Sequence, residues 1–149
     1  MNRVVDEIQK AISGATDFTE AAQQAVERLR DRVAHYNWVG IYMVDGDELA
    51  LLAWDGPEAT EHTRIQIGQG ICGLAAERGE MVIVDDVDRD PRYIACFPST
   101  KSEIVVPIIA DDRVIGEIDI DSDSPAAFEN EDDRLLNEVA RALADRFTQ

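Results

Sequence analysis

The chain has 149 residues, of which 31 are acidic and 14 basic, so its formal net charge at pH 7 is −17. Its length suits a single domain of about 100–200 residues, spanning 1–149, and 45% apolar residues exclude a disordered chain. Because nucleic acids and anionic membrane surfaces are themselves negative, both are unfavourable partners for so acidic a protein.

Helices are predicted at both ends of the chain. The first is at residues 3–12, and the second, at about 18–34, follows the helix-start signal Thr16-Asp17-Phe18-Thr19-Glu20. A short helix is predicted at 71–77. A closing amphipathic helix is predicted from Phe128 onward, with leucine and valine recurring on one face.

Strand-forming residues recur between these helices. They predict six strands, at 38–44, 48–54, 63–67, 81–84, 102–109 and 114–121. The turn signals Asp45-Gly46 and Asp111-Asp112 join neighbouring strands tightly, which requires antiparallel pairing. The order predicts an α+β fold, a mainly antiparallel six-stranded sheet with N- and C-terminal helices packed on it. The irregular stretch 85–101 is a long loop, and such loops are often functional.

A glycine motif precedes the short helix. Gly68-Gln69-Gly70-Ile71-Cys72-Gly73 matches the dinucleotide-binding pattern G-x-G-x-x-G. However, the helix after it is only about two turns long, which is short for a parallel crossover. We therefore interpret the glycines as a tight turn with a helix start. The N–H groups at such a start can bind a carboxylate without binding a nucleotide.

Two cysteines are candidates for thiol chemistry. Cys72 lies at the helix start, where the helix dipole lowers a thiol pKa, but a small buried residue in a tight turn is the simpler interpretation. Cys96 lies in the long loop, an uncommon place for an inert cysteine. Arg92 and Lys101 are near it in sequence and favour a thiolate, whereas the many carboxylates oppose one. Structural and reactive interpretations of Cys96 both stay open.

Acidic residues interrupt two otherwise apolar strands. Glu103 lies on the fifth strand, and Asp119 and Asp121 share one face of the sixth with Glu117, since side chains alternate along a strand. A solvated sheet face is the simpler interpretation. If the long loop covers that face instead, the carboxylates repel one another and at least one keeps its proton near neutral pH.

Other chemical signatures are missing from the sequence. His35 and His62 have no metal-ligand spacing with each other or with the cysteines, so no metal site is predicted. No apolar segment reaches the about 18 residues of a membrane helix, and an early carboxylate argues against a secretory signal. We expect a cytoplasmic protein whose cysteines are reduced.

Four stretches together resemble a known family over nearly the whole chain. They are Asn37-Trp38-Val39-Gly40-Ile41-Tyr42, the glycine motif, Ile94-Ala95-Cys96 leading to Ser102-Glu103-Ile104-Val105-Val106-Pro107, and Gly116 through Ser122. The strand and helix order resembles a GAF domain. The cysteines and carboxylates are similar to those of the free methionine-(R)-sulfoxide reductases, which are stand-alone GAF domains.

This resemblance implies thiol-dependent reduction of free L-methionine (R)-sulfoxide to methionine. By position, Cys96 matches the catalytic cysteine and Cys72 the second active-site cysteine. The acids that match the substrate-binding ones are Glu103, Asp119 and Asp121. The resemblance implies that no cofactor is bound and that an external dithiol, such as thioredoxin, is the reductant. It is also compatible with a homodimer.

The chain departs from the family at one position. Many members carry a third cysteine, commonly the resolving one, on the strand before the glycine turn, and His62 stands there in this sequence. The resolving thiol is then Cys72 or the external dithiol, with Cys72 preferred. The missing cysteine favours the alternative of a non-catalytic GAF sensor or regulatory module. The expected lack of an attached output domain disfavours that alternative.

Overall fold

A computed structural model describes residues 2–94 and 97–149 of the protein. Cys96, the predicted nucleophile, lies outside the described residues, together with Met1 and Ala95. Within the described chain, every predicted element is present, and its ends lie within two residues of those predicted.

The helices are α1 (Asn2–Gly14), α2 (Phe18–Arg32), α3 (Gly70–Arg78) and α4 (Asn130–Phe147). The strands are β1 (Trp38–Asp45), β2 (Glu48–Asp55), β3 (Arg64–Gln66), β4 (Val82–Val84), β5 (Ser102–Ala110) and β6 (Arg113–Ser122). The region between β4 and β5 carries one short 3-10 turn, Val87–Arg89. No helix of the described chain combines the length and the apolar character needed to cross a membrane.

The six strands form one antiparallel sheet in the order β3-β2-β1-β6-β5-β4. The predicted α+β fold is therefore confirmed. The strands on either side of α3, β3 and β4, lie at opposite edges of the sheet, so α3 is not a parallel crossover. This agrees with the interpretation of the glycine motif as a turn. At the β5–β6 hairpin, Asp111 and Asp112 have φ values of 51° and 61°, as a tight hairpin turn requires.

One face of the sheet packs against α1, α2 and α4. Alternate residues of the neighbouring strands β5 and β6 point to this face and are fully buried: Ile104, Val106, Ile118 and Ile120. They pack with the apolar sides of the helices and form the main core. Burial of this apolar surface is the main force that holds the helices on the sheet.

The other face packs against α3 and forms a second, smaller core. Tyr42, Leu49, Ala75 and Val105 belong to it, and so does Cys72. Side chains alternate along a strand, so the residues between the isoleucines of β6 point to this second face. Those residues are acidic, and they place carboxylates under α3.

Candidate functional site

The register between β5 and β6 brings the predicted acids together. Glu103 pairs with Asp121, and Val105 pairs with Asp119. All three carboxylate residues are buried, with Asp119 and Asp121 each only 2% exposed. The interpretation of this face as solvated is wrong, because α3 packs over it and excludes water.

Cys72 lies on α3, which packs on the sheet face that carries these acids. It lies in the first turn of α3 and is buried. Its Sγ and one carboxylate oxygen from each of Glu103 and Asp119 all lie within 4.8 Å of one another. Three of the predicted site residues, from three different elements, therefore meet at one point.

The environment of Cys72 keeps its thiol protonated. Burial raises the thiol pKa well above its usual value, and the charges of Asp119, Glu117 and Glu103 add to the effect. A hydrogen bond with Asp119 acts in the same direction. The helix start does not offset these effects, so a reactive, low-pKa thiol at position 72 is not what this environment favours.

The carboxyl groups also favour their neutral forms. Burial raises the pKa of Asp119, although hydrogen bonds with Glu103 and Cys72 oppose the shift. Burial raises the pKa of Asp121 well above its usual range, and the nearby charge of Asp119 raises it further. A carboxyl group in its neutral form can donate a hydrogen bond, which an ionised one cannot.

Glu117 belongs to this cluster although it was not among the predicted site residues. Its side chain is fully buried, and burial followed by the charge of Asp119 raises its pKa well above the usual range. The alternation of β6 did place it on the acidic face. What the sequence could not indicate was that Glu117, which lies between Tyr42 and Pro107 of the neighbouring strands, is fully buried.

Several buried oxygens of the cluster are unsatisfied. Asp119 Oδ1, Asp121 Oδ1 and both carboxylate oxygens of Glu117 lack a hydrogen-bond partner among the residues that the structure describes. Buried polar groups normally find a partner, and those that do not are expected at sites that receive a ligand. The unsatisfied oxygens make this region a candidate binding site.

A small cavity opens beside the cluster. Its volume is about 20 Å³. Cys72, Glu103 and Asp119 line it, and the other lining residues in the described part of the chain are His62, Ile65, Gln69, Gly70, Ile71 and Ile94. This volume holds about one water molecule. A ligand the size of an amino acid therefore requires wall side chains to move, and two of them, Gln69 and Ile94, are exposed.

The glycine motif shapes the cavity wall. Gly68 and Gly70 have φ values of 96° and 69°, which residues with a side chain rarely adopt. A Cβ on Gly73 would approach the carbonyl oxygen of Gln66 to 2.5 Å. The turn thus brings the start of α3 against the cavity, and the N-cap residue Gln69 makes no side-chain cap hydrogen bond there. First-turn N–H groups of a helix can bind an anion.

His62 borders the same cavity. Its backbone carbonyl accepts a hydrogen bond of 2.8 Å from the Tyr42 hydroxyl, which attaches this segment to β1. The position at which related sequences often carry a third cysteine is therefore part of the site wall in this chain.

Comparison with known proteins gives consistent results. The GAF domain family matches residues 15–147. The free methionine-R-sulfoxide reductase of Escherichia coli strain K12 is 33% identical over 132 residues, which cover 89% of this chain and 79% of the relative.

Two solved structures extend this similarity. The free methionine-R-sulfoxide reductase of Neisseria meningitidis, in complex with its substrate, is 39% identical with a TM-score of 0.92, over 99% of this chain and 87% of that one. The type II enzyme of Thermoplasma acidophilum is 44% identical with a TM-score of 0.82, over 87% and 94%. The chain belongs to the GAF domain family and, within it, to the free methionine-R-sulfoxide reductases.

Proposed function

We propose that this chain reduces free L-methionine (R)-sulfoxide to methionine, using thiol chemistry at the cavity under α3. The observation that carries the proposal is the meeting of Cys72, Glu103 and Asp119 around that cavity. The chain is also 39% identical to a reductase whose structure holds its substrate.

The acid cluster activates the sulfoxide. A carboxylic acid, from Glu103 or Asp119, donates a hydrogen bond to the sulfoxide oxygen and makes the sulfur more electrophilic. The buried position of Asp119 supports this role, since burial raises the pKa of its carboxyl group and so favours the protonated form.

Cys96 is the nucleophile in this proposal, on the basis of its position in the family motif. Its thiolate attacks the sulfoxide sulfur and forms a sulfur–sulfur bond, while the carboxylic acid gives its proton to the sulfoxide oxygen. The resulting hydroxyl group then moves to the Cys96 sulfur as the new sulfur–sulfur bond and the original sulfur–oxygen bond break. Methionine is released with its sulfur reduced, while Cys96 is oxidised to a sulfenic acid.

Cys72 then resolves the sulfenic acid. Its sulfur attacks Cys96, a disulfide forms, and the hydroxyl group leaves as water with the proton from the Cys72 thiol. An external dithiol such as thioredoxin reduces that disulfide. Cys72 is preferred over direct attack by the dithiol because its thiol already lies among the substrate-binding acids. Its high pKa protects it from oxidation between turnovers.

The main-chain charges of the free amino acid explain its selection over peptide-bound methionine sulfoxide. Asp121 binds the substrate ammonium: the positive charge favours the ionised form, so the carboxyl group, which favours its neutral form in the empty site, gives up its proton on binding. The N–H groups at the start of α3 bind the substrate carboxylate. A peptide-bound residue carries neither charge and would leave buried groups without partners, which costs binding free energy.

The test is to supply the separate R and S epimers of free methionine sulfoxide with dithiothreitol, at several salt concentrations. We expect methionine release from the R epimer only, lost in Cys96→Ser and retained in Asp111→Asn, a change of one exposed turn carboxylate. Circular dichroism verifies that each protein is folded. Folded wild-type protein that releases no methionine at any salt concentration would instead support the non-catalytic sensor.

A further inference from the structure

We propose that Cys72, Glu103 and Asp119 also form a binding site for a thiophilic divalent cation, best matched by Zn²⁺, which competes with the substrate. The metal site itself depends only on the described geometry. Competition with the substrate rests on the proposed function.

The geometry is close to that of a zinc site with three protein ligands. One sulfur and two carboxylate oxygens lie within 4.8 Å of one another. In a tetrahedral zinc site with bonds of about 2.0–2.3 Å, neighbouring ligand atoms are about 3.5 Å apart. A contraction of about 1 Å, which side-chain rotation can provide, would bring the three atoms to that spacing.

Unsatisfied oxygens are a second and independent indication of a cation. Asp119 Oδ1 points to no hydrogen-bond partner in the described chain, although the residue is 98% buried and lines the cavity. No lysine or arginine is among the described residues of the cavity wall. A buried carboxylate oxygen without a hydrogen-bond partner, such as Asp119 Oδ1, is a suitable ligand for a cation.

The ligand types favour Zn²⁺ over the abundant hard cations. Calcium and magnesium prefer six or more oxygen ligands, whereas zinc accepts thiolate, carboxylate and imidazole in sets of four. On binding, the Cys72 sulfur donates an electron pair to the ion and its proton leaves to solvent, so no electron transfer is needed. Water fills the fourth position.

The size of the cavity also suits an ion. Its volume of about 20 Å³ is too small for methionine sulfoxide without movement of the wall, but it holds about one water molecule, which is enough for the one ligand water of an ion bound between the three side chains. A bound ion would occupy the oxygens proposed to bind the sulfoxide and would block the Cys72 thiol. Zinc would therefore inhibit the enzyme reversibly, and a chelator would restore activity.

The experiment uses the reduced, metal-free full-length chain with Co²⁺ alone as a spectroscopic probe and Zn²⁺ alone in calorimetry. Cobalt bound to a thiolate gives a charge-transfer band in the near ultraviolet. We expect a saturable band in the wild type and in Asp111→Asn, and no band in Cys72→Ser. Asp119→Asn should weaken Zn²⁺ binding about tenfold or more. If the Asp119→Asn protein does not fold, the same Zn²⁺ titration is carried out on Glu103→Gln.

The outcomes separate the metal site from the proposed function. A wild-type protein without the band, or a band that persists in Cys72→Ser, would overturn the site. In Cys96→Ser, which cannot carry out the first oxidation and so leaves Cys72 as a thiol, methionine (R)-sulfoxide should reduce the band by displacing cobalt. A band that depends on Cys72 but resists the substrate would support the metal site and overturn the competition.

Discussion

Glu103 on β5 and Asp121 on β6 are directly paired across two antiparallel strands, on a sheet face that α3 shields from water. Two carboxyl groups side by side in such a place destabilise the fold when both are ionised. Their position is therefore better explained by ligand binding than by stability, and the predictions below follow from this arrangement.

Asp119→Asn should lower kcat/KM for methionine (R)-sulfoxide about a hundredfold or more, since the amide cannot supply the acidic proton. Asparagine is close in size to aspartate, so circular dichroism should show an intact fold. Asp111→Asn, an exposed change of the same kind, serves as the control. Unchanged turnover in Asp119→Asn would remove this residue from the mechanism.

Cys72→Ser should separate the first chemical step from recycling. Mixed with substrate and no reductant, the variant should still release about one methionine per chain, because Cys96 is oxidised once. Steady turnover driven by thioredoxin should be lost. Turnover with thioredoxin at the wild-type rate would show that the dithiol attacks the sulfenic acid directly.

The free energy of unfolding should fall as pH rises above the acidic range. Burial raises the folded-state pKa of Asp121 and Glu117 above their unfolded values, so folding takes up protons. Their stabilising contribution is complete below the unfolded pKa of about 4 and is lost as pH rises through the folded pKa. Urea unfolding at a series of pH values measures this loss.

Glu117→Gln tests whether Glu117 contributes to the pH dependence of the free energy of unfolding. The amide cannot ionise, so the variant should unfold at higher urea concentrations than the wild type at pH 8, and the difference should shrink near pH 4. Its slope of stability against pH should be shallower. A slope identical to that of the wild type would mean that Glu117 does not titrate on folding.

Tyr36→Phe should destabilise the protein without affecting activity. The buried Tyr36 hydroxyl donates a hydrogen bond of 2.6 Å to Asp132 Oδ1, and Asp132 also accepts one from the backbone N–H of Glu129 at the start of α4. Loss of a hydrogen bond to a buried carboxylate costs about 1–3 kcal/mol. Urea unfolding and the methionine-release assay measure the two effects, and equal stability would contradict the expected role of this bond.

The elements and their order could be predicted from the sequence because each has a local signal. The strand-forming run from Trp38, the turn pair Asp111-Asp112 and the helical spacing after Phe128 depend only on near neighbours in the chain. The GAF family also followed from motifs along the chain, and the family match over 15–147 confirms it.

The burial of the acids could not be predicted in the same way. The alternation of β6 put Glu117, Asp119 and Asp121 on one face, but only the packing of α3 over that face decides whether water reaches it. For the same reason, a helix start was a poor guide to the pKa of Cys72. Its burial and the nearby carboxylates come from strands distant in sequence.

The most direct measurement is mass spectrometry of the reduced chain after it reacts with free methionine (R)-sulfoxide and no reductant. We expect one methionine released per chain, with Cys72 and Cys96 joined in a disulfide and both protected from alkylation. The S epimer should leave both thiols free. A chain that keeps two alkylatable thiols and releases no methionine from the R epimer would contradict a catalytic role for Cys96.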